Sequence, residues 1–388
     1  MLLADRFAQL GEENAFAVLA RANALKAQGR DMINLGIGQP DFRTPDIIVE
    51  SAIKALRDGA HGYTDSLGIP PLREKVVEYL SKRGVSAQPD RVMIVPGGKV
   101  TMFFACMLLG QPGQKILYPD PGFPIYRSAA AVTGAEVVGY RLREDDDFAP
   151  DMEQLETLVD AQTSLLIVNS PGNPTGGIMR QHHIEQIAEL MRRHPQLIVM
   201  SDEIYGEMLY DGEKHFSLAS INDIADRVIL LDGWSKTFAM TGWRMGFGLW
   251  PSALIDAARK LSVNCHSCVA ASYQHAAITA LDEAWDQVEH MVATFDRRRK
   301  FAADLLNDLP GVTCRVPKGA FYAFPNITQT GRESRELAKD LLENHSLALL
   351  SGTDFGAQGE GFLRVSVAAS DEDIQKGVDR IRTCLAQH

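Results

Sequence analysis

Basic residues are in short supply in this chain: 39 Lys and Arg stand against 50 Asp and Glu, a formal net charge of −11. A protein that neutralises a nucleic-acid backbone or an anionic membrane surface needs the opposite balance, so neither partner is expected. Cysteine is sparse as well. The five, Cys106, Cys265, Cys268, Cys314 and Cys384, are odd in number and scattered, which argues against a disulfide scaffold and for a reduced, cytoplasmic setting. Cys265-His266-Ser267-Cys268 has the form of a CxxC pair, but no second pair or closely spaced histidines complete a tetrahedral set, and no metal is expected. No apolar run approaches the roughly 20 residues of a membrane span. Met1 to Arg6 has neither the basic start nor the continuous apolar stretch of a secretory signal. Repeats, low-complexity tracts and floppy linkers are missing too.

What is present is an ordinary globular composition, 45% hydrophobic and 23% charged, spread over 388 residues. That length exceeds the size at which one hydrophobic core stops growing, so two domains are expected. Short Val-, Ile- and Leu-rich runs at 91–95, 115–118, 136–140, 164–168, 197–200, 228–231 and 245–250 read as buried strands. Helical patterns lie between most of them; in Gln186 to Arg193, Ile187, Leu190 and Met191 share one stripe. Strands alternating with helices predict an α/β fold with a mostly parallel, doubly wound, seven-stranded sheet. Phe16 to Leu25 predicts an amphipathic helix stopped by Gly29. A long helix over 282–309, apolar at Trp285, Val288, Val292 and Phe295, is placed to bridge two domains. Strands at 319–325 and 361–367 follow between C-terminal helices. The expected division is a large domain, 46–284, and a smaller α/β domain built from 1–45 and 285–388.

In open α/β sheets, ligands bind beyond the carboxyl ends of the strands, so the residues after each apolar run carry the chemistry. After 91–95 comes Pro96-Gly97-Gly98-Lys99 and a helical pattern, which offers backbone N–H groups and a positive dipole end to an anion, or is simply a tight turn. After 164–168 comes Asn169-Ser170-Pro171-Gly172-Asn173-Pro174-Thr175-Gly176, a turn-rich loop with amide side chains able to bond a planar ligand. Asp202, at the end of 197–200, is expected to be buried at a strand end or to cap the next helix. Lys236, after 228–231, sits among Trp234, Phe238 and Met240; it is either a snorkelling surface lysine or a desolvated amine with a lowered pKa and nucleophilic character.

The run Ser235-Lys236-Thr237-Phe238-Ala239-Met240-Thr241-Gly242-Trp243-Arg244, with Pro171 to Gly176 and Asp202-Glu203-Ile204-Tyr205 upstream, resembles the class I/II, aspartate-aminotransferase-like branch of the fold type I pyridoxal-phosphate-dependent aminotransferases. The likeness extends from Gly38-Gln39-Pro40-Asp41-Phe42 to Phe362-Leu363-Arg364-Val365-Ser366. It implies pyridoxal 5'-phosphate as cofactor and Lys236 as the catalytic lysine that forms the Schiff base. It implies Asp202 as partner of the pyridinium nitrogen and Asn173 and Tyr205 as partners of the ring's phenolic oxygen. By the same likeness, Arg244 and the backbone of Gly97, Gly98 and Lys99 hold the phosphate, and Phe123 stacks on the ring. Arg364 grips the substrate α-carboxylate, a task that suits a bidentate guanidinium, with Gly38 and Asn173 nearby. Tyr63 matches a tyrosine that reaches the phosphate of a neighbouring subunit, implying a homodimer with shared active sites. The chain departs from many relatives at Gly233, where they carry a phosphate-binding serine; Ser235 remains as a candidate for that contact.

The implied reaction is ping-pong amino transfer between an L-α-amino acid and a 2-oxo acid, with glutamate, aspartate or alanine favoured as donor. Lys99 matches a lysine that some relatives place near a dicarboxylate side chain; alternatively it only tops a helix, leaving Phe16, Ile37 and Tyr63 to line an apolar pocket. A carbon–sulfur β-lyase would use the same lysine. A non-catalytic cofactor-binding regulator is expected to lack Lys236 or Arg364, and both are present.

Overall fold

The computed structural model describes residue 7, residues 10–11 and residues 13–387. Among the described residues the first α-helix is Asn14–Ala27, followed by a short strand, β1 (Ile33–Asn34). Eight strands then build the main sheet: β2 (Val92–Val95), β3 (Lys115–Asp120), β4 (Glu136–Arg143), β5 (Ala149–Pro150), β6 (Thr163–Asn169), β7 (Ile198–Asp202), β8 (Val228–Gly233) and β9 (Gly246–Leu249). Their order across the sheet is β2-β9-β8-β7-β6-β3-β4-β5. Strands β8, β7, β6, β3 and β4 pair parallel; β9 runs against both β2 and β8. All seven expected strands are present. The eighth, β5, is two residues long and pairs antiparallel with the end of β4 at the sheet edge, too short to leave a periodic signal.

The apolar runs are continuous because both faces of the sheet are covered. Along β6, Leu166 and Val168 join one core with the helices Asp46–Arg57, Pro70–Ser81, Gln181–Arg193 and Ala271–Glu283. Leu165 and Ile167, pointing the opposite way by the pleat, join a second core with Lys99–Leu109, Ile125–Ala131 and Ile255–Cys265.

A third core gathers Ile33 and Leu35 with Phe295, Phe321, Leu347 and Val365. It is organised by β10 (Tyr322–Ala323), β11 (Leu347–Ala348), β12 (Leu350–Ser351) and β13 (Leu363–Ser366). β13 lies between β10 and β12, and β1 pairs with β11, so the two chain ends are joined by backbone hydrogen bonds. The long helix observed, Trp285–Asn307, is shorter than its periodicity predicts because the pattern breaks at Ala284, where a separate helix ends. Val288 packs in the first core and Met291 and Phe295 in the third. One rigid rod is therefore anchored in both.

Candidate active site

The C-terminal ends of the strands converge on a cavity of about 580 Å³. The adjacent ends of β6 and β7 bring Asn169 opposite Asp202. Asp202 is 2% exposed; it accepts hydrogen bonds from the Tyr126 hydroxyl at 2.7 Å and the Ile204 amide at 3.2 Å. Neither donor is a cation. Burial pushes the Asp202 carboxyl up to about 7, restrained by those two donors and aggravated by the nearby Asp232 and Glu203 carboxylates.

Lys236 follows β8 by one helical turn. Its ammonium donates to the Gly38 carbonyl and stands 5.9 Å and 5.7 Å from the ring centroids of Tyr205 and Phe321. The side chain is half-buried and faces the cavity. Burial brings its pKa down to about 8; Glu13 opposes this, while Arg364, Arg244 and Lys99 add to it. A snorkelling surface lysine would not be so placed.

Glycines make a second wall. Gly233 faces Gly246 across β8 and β9, and a Cβ on Gly233 would lie 2.7 Å from the Gly246 Cα and 2.9 Å from the Met245 carbonyl oxygen. A Cβ on Gly246 would lie 2.6 Å from the Gly98 amide nitrogen. Backbone thus stacks on backbone, and a side chain at 233 has no room here. The same packing brings the helix Lys99–Leu109 to the cavity by its N-terminus, which no side chain caps. Its first N–H groups and dipole face that space. Gly97 has φ +88°, and a Cβ there would collide with the Arg244 guanidinium. Arg244 itself has φ +55°, a strained conformation for a non-glycine residue. Its loop is tied down by Thr44, which donates to the Ala239 carbonyl at 2.8 Å and accepts from the Trp243 indole at 3.0 Å.

Arg364 comes from β13, in the third core, and reaches across to the Asn173 side-chain oxygen at 3.0 Å and the Gly36 carbonyl. The rings of Tyr322 and Phe355 flank its guanidinium at 4.6 and 4.7 Å. It is 2% exposed and its Nε has no partner. Asn169 sets the loop: its side-chain oxygen accepts from the Asn173 amide at 2.9 Å while its NH₂ donates to the Asp202 carbonyl at 3.0 Å.

Of the residues singled out from sequence, Gly38, Gly98, Lys99, Phe123, Asn173, Asp202, Tyr205, Ser235, Lys236, Arg244 and Arg364 all line this cavity, and Gly97 adjoins it through Arg244. Tyr63 does not; it is 92% exposed, on a loop outside the cavity. Tyr126, Tyr322 and Glu13 also line it and were not anticipated. Tyr126 lies three residues past Phe123, and the strand-end rule applied to β3 reaches it. Tyr322, whose hydroxyl lies 2.8 Å from that of Tyr205, sits in a stretch legible only as a strand. Two groups, Asp146-His182-His183 and Asp340-His345-Cys384, bring metal-ligand atoms together from separate elements; neither lines the cavity.

A half-buried amine, a buried carboxylate with no cation on it, an uncapped helix N-terminus with an arginine, and an arginine with an unsatisfied Nε, all on one cavity, fit a flat, phosphorylated pyridine aldehyde together with a carboxylate substrate. Comparison with known proteins agrees. The sequence profile of aminotransferase class I and II matches residues 30–381. An aspartate aminotransferase of Pyrococcus abyssi is 38% identical over 92% of this chain and 92% of its own length. Aromatic-amino-acid aminotransferase 2 of Thermococcus litoralis is 34% identical over 100% and 99%. The aspartate aminotransferase of Thermus thermophilus with maleate superposes with a TM-score of 0.93 at 31% identity, covering 99% of each chain. On motif order, fold and cavity alike, the chain belongs to the class I and II aminotransferases.

Proposed function

We propose that the protein transfers an amino group between an L-α-amino acid and a 2-oxo acid with pyridoxal 5'-phosphate held in this cavity. The observation that carries the reading is the Lys236 amine, with a pKa lowered to about 8, opening on a cavity shared with Asp202, Arg244 and Arg364. When bound, the cofactor supplies a sink for the electron pair left at the substrate Cα.

The rest falls to the chain. Lys236 is the residue that would hold the cofactor, and its amine would move a proton to and from the substrate Cα; an amine with a pKa near the working pH suits both directions. Asp202 holds a proton on the ring nitrogen. Its burial beside donors that carry no charge leaves its negative form in need of a cation, which supports that role. Asn173 and Tyr205 would hold the phenolic oxygen and Phe123 the ring, all three lining the cavity. Arg244, Ser235 and the N–H groups of Gly97, Gly98 and Lys99 take the phosphate. Arg364 takes the α-carboxylate with two parallel hydrogen bonds, and Gly38 and Asn173 adjoin it.

Within the same reading, 46–284 form the cofactor domain and 1–45 with 285–388 the smaller one; the helix anchored in two cores supports that division. The active form is a homodimer, with Tyr63 reaching the partner's phosphate, and its exposure supports this. All five cysteines are free, which suits a reducing compartment such as the cytoplasm. No helix among the described residues is long and apolar enough to cross a membrane.

The test is a half-reaction screen. Cofactor-loaded protein mixed with single amino acids should lose its absorbance as the lysine-bound form is aminated, and Lys236→Ala should show neither that band nor turnover. Conversion by no amino acid would remove the reading, as would normal turnover by the variant.

A further inference from the structure

One wall of the cavity carries an ion pair made by the chain itself. The Lys99 ammonium lies 2.7 Å from a carboxylate oxygen of Glu13, and both residues line the cavity. Aromatic faces flank the ammonium: the Phe123 and Phe16 ring centroids are 5.2 and 5.7 Å away. Glu13 is therefore a negative charge inside the substrate space, near enough to oppose the lowering of the Lys236 pKa.

The pair is built to exchange. The Lys99 and Glu13 side chains are 39% and 21% exposed, and a pair so open to water is weak. Glu13 immediately precedes the helix Asn14–Ala27. Just upstream of it, the Gly11 carbonyl accepts one hydrogen bond, from Ser128 at 3.3 Å. With the pair intact, the charges of Lys99 and Glu13 cancel, and a second carboxylate finds no free cation on this wall.

We propose that Glu13 is an internal carboxylate that sets substrate choice by occupying Lys99: an uncharged or aromatic side chain enters beside the intact pair, whereas an acidic side chain must displace Glu13 to gain the ammonium. The inference rests on the transaminase reading above. It adds a specificity-determining residue to that site. Acidic donors carry the cost of breaking the pair, and aromatic donors gain the Phe16 and Phe123 faces with no such cost.

The experiment uses cofactor-loaded wild type, Glu13→Gln, Glu13→Asp and the double variant Glu13→Gln/Lys99→Met, each assayed for kcat/KM with glutamate, aspartate, leucine and phenylalanine. Glu13→Gln should raise the glutamate-to-leucine ratio about two- to fivefold, mainly through a lower KM for glutamate. Glu13→Asp, which keeps the charge, should stay close to the wild-type ratio, and the double variant should lose the gain. An unchanged ratio, an equal fall with all four donors, or a gain that survives loss of Lys99 overturns the proposal. Wild type that converts none of the four amino acids removes the transaminase reading itself, an outcome visible without any variant. Should Glu13→Gln fold poorly, Glu13→Ala carries the same expectation.

Discussion

Replacing Lys236 by methionine keeps the length and apolar stem of the side chain and removes the amine. Turnover should vanish, and the cofactor-free protein should become more stable at neutral pH. The folded state brings this amine from an ordinary 10.5 down to about 8, which costs ~3 kcal/mol at about 1.36 kcal/mol per pKa unit. That penalty is full below about pH 8, where the unfolded chain holds the proton more tightly than the folded one, and it fades as pH rises towards 10.5. Two effects reduce the gain. The side chain is only half-buried, so cavity water screens part of the cost, and the variant loses the bond to the Gly38 carbonyl, worth about 1 kcal/mol. A net gain of roughly 1–2 kcal/mol at pH 7 is expected, turning to a loss of about 1 kcal/mol near pH 10.5. Urea unfolding of cofactor-free wild type and variant at both pH values measures it. A variant no more stable at pH 7, or a difference that ignores pH, would refute the view that Lys236 is held as a desolvated amine.

Three further predictions concern the cavity and a buried ion cluster outside its lining. On the proposed function, Asp202→Asn removes the buried carboxylate and should lower kcat by ~10²-fold or more in steady-state assays; Tyr126→Phe, which deletes only its 2.7 Å donor, should lower it by a smaller factor. Gly97→Ala puts a Cβ against the Arg244 guanidinium at a residue with φ +88°; it should cost about 1–3 kcal/mol of stability and weaken cofactor affinity, read by titration of the cofactor-free protein. Arg83→Met removes the cation that Glu203, Glu207 and Asp232 share at 3.6, 2.8 and 3.0 Å, leaving Glu203 with His215 at 2.6 Å. Breaking a buried cluster from one side costs about 3–5 kcal/mol, and the denaturation midpoint should fall accordingly.

Much of the fold was legible because its strands are buried on both faces. A strand such as β6 needs apolar residues at every position from Leu165 to Val168, and such a run stands out without any partner being known. β5 was not legible: it is two residues long, and pairing with β4, not pattern, makes it a strand; the strand read at 319–325 is there, but only Tyr322 and Ala323 of it pair, with β13. The helix at 285–307 was read about three residues too early because Asp282 and Glu283 end the preceding helix in a compatible phase.

The site divides in the same way. Residues placed by the end of their own strand, Gly97, Asn173, Asp202 and Lys236, were accessible from order along the chain. Residues whose place depends on another element were not. Glu13 meets Lys99 across 86 positions and Tyr322 meets Tyr205 across 117, and no local pattern encodes either meeting. Gly233 shows the two levels at work. The glycine is visible in the sequence, but the reason for it, a Cβ with no space against Gly246 and Met245, is a property of the paired strands.

By itself the sequence determined the α/β class and pointed to the strand ends where Asp202 and Lys236 meet the cavity, because local burial and turn geometry are written in consecutive residues. Only the tertiary structure decided that Arg364 reaches Asn173 from a different core, that Asp202 answers to Tyr126, and that Lys99 is already partnered by Glu13. Those are meetings between distant segments, and their distances and desolvation exist only once the chain has packed.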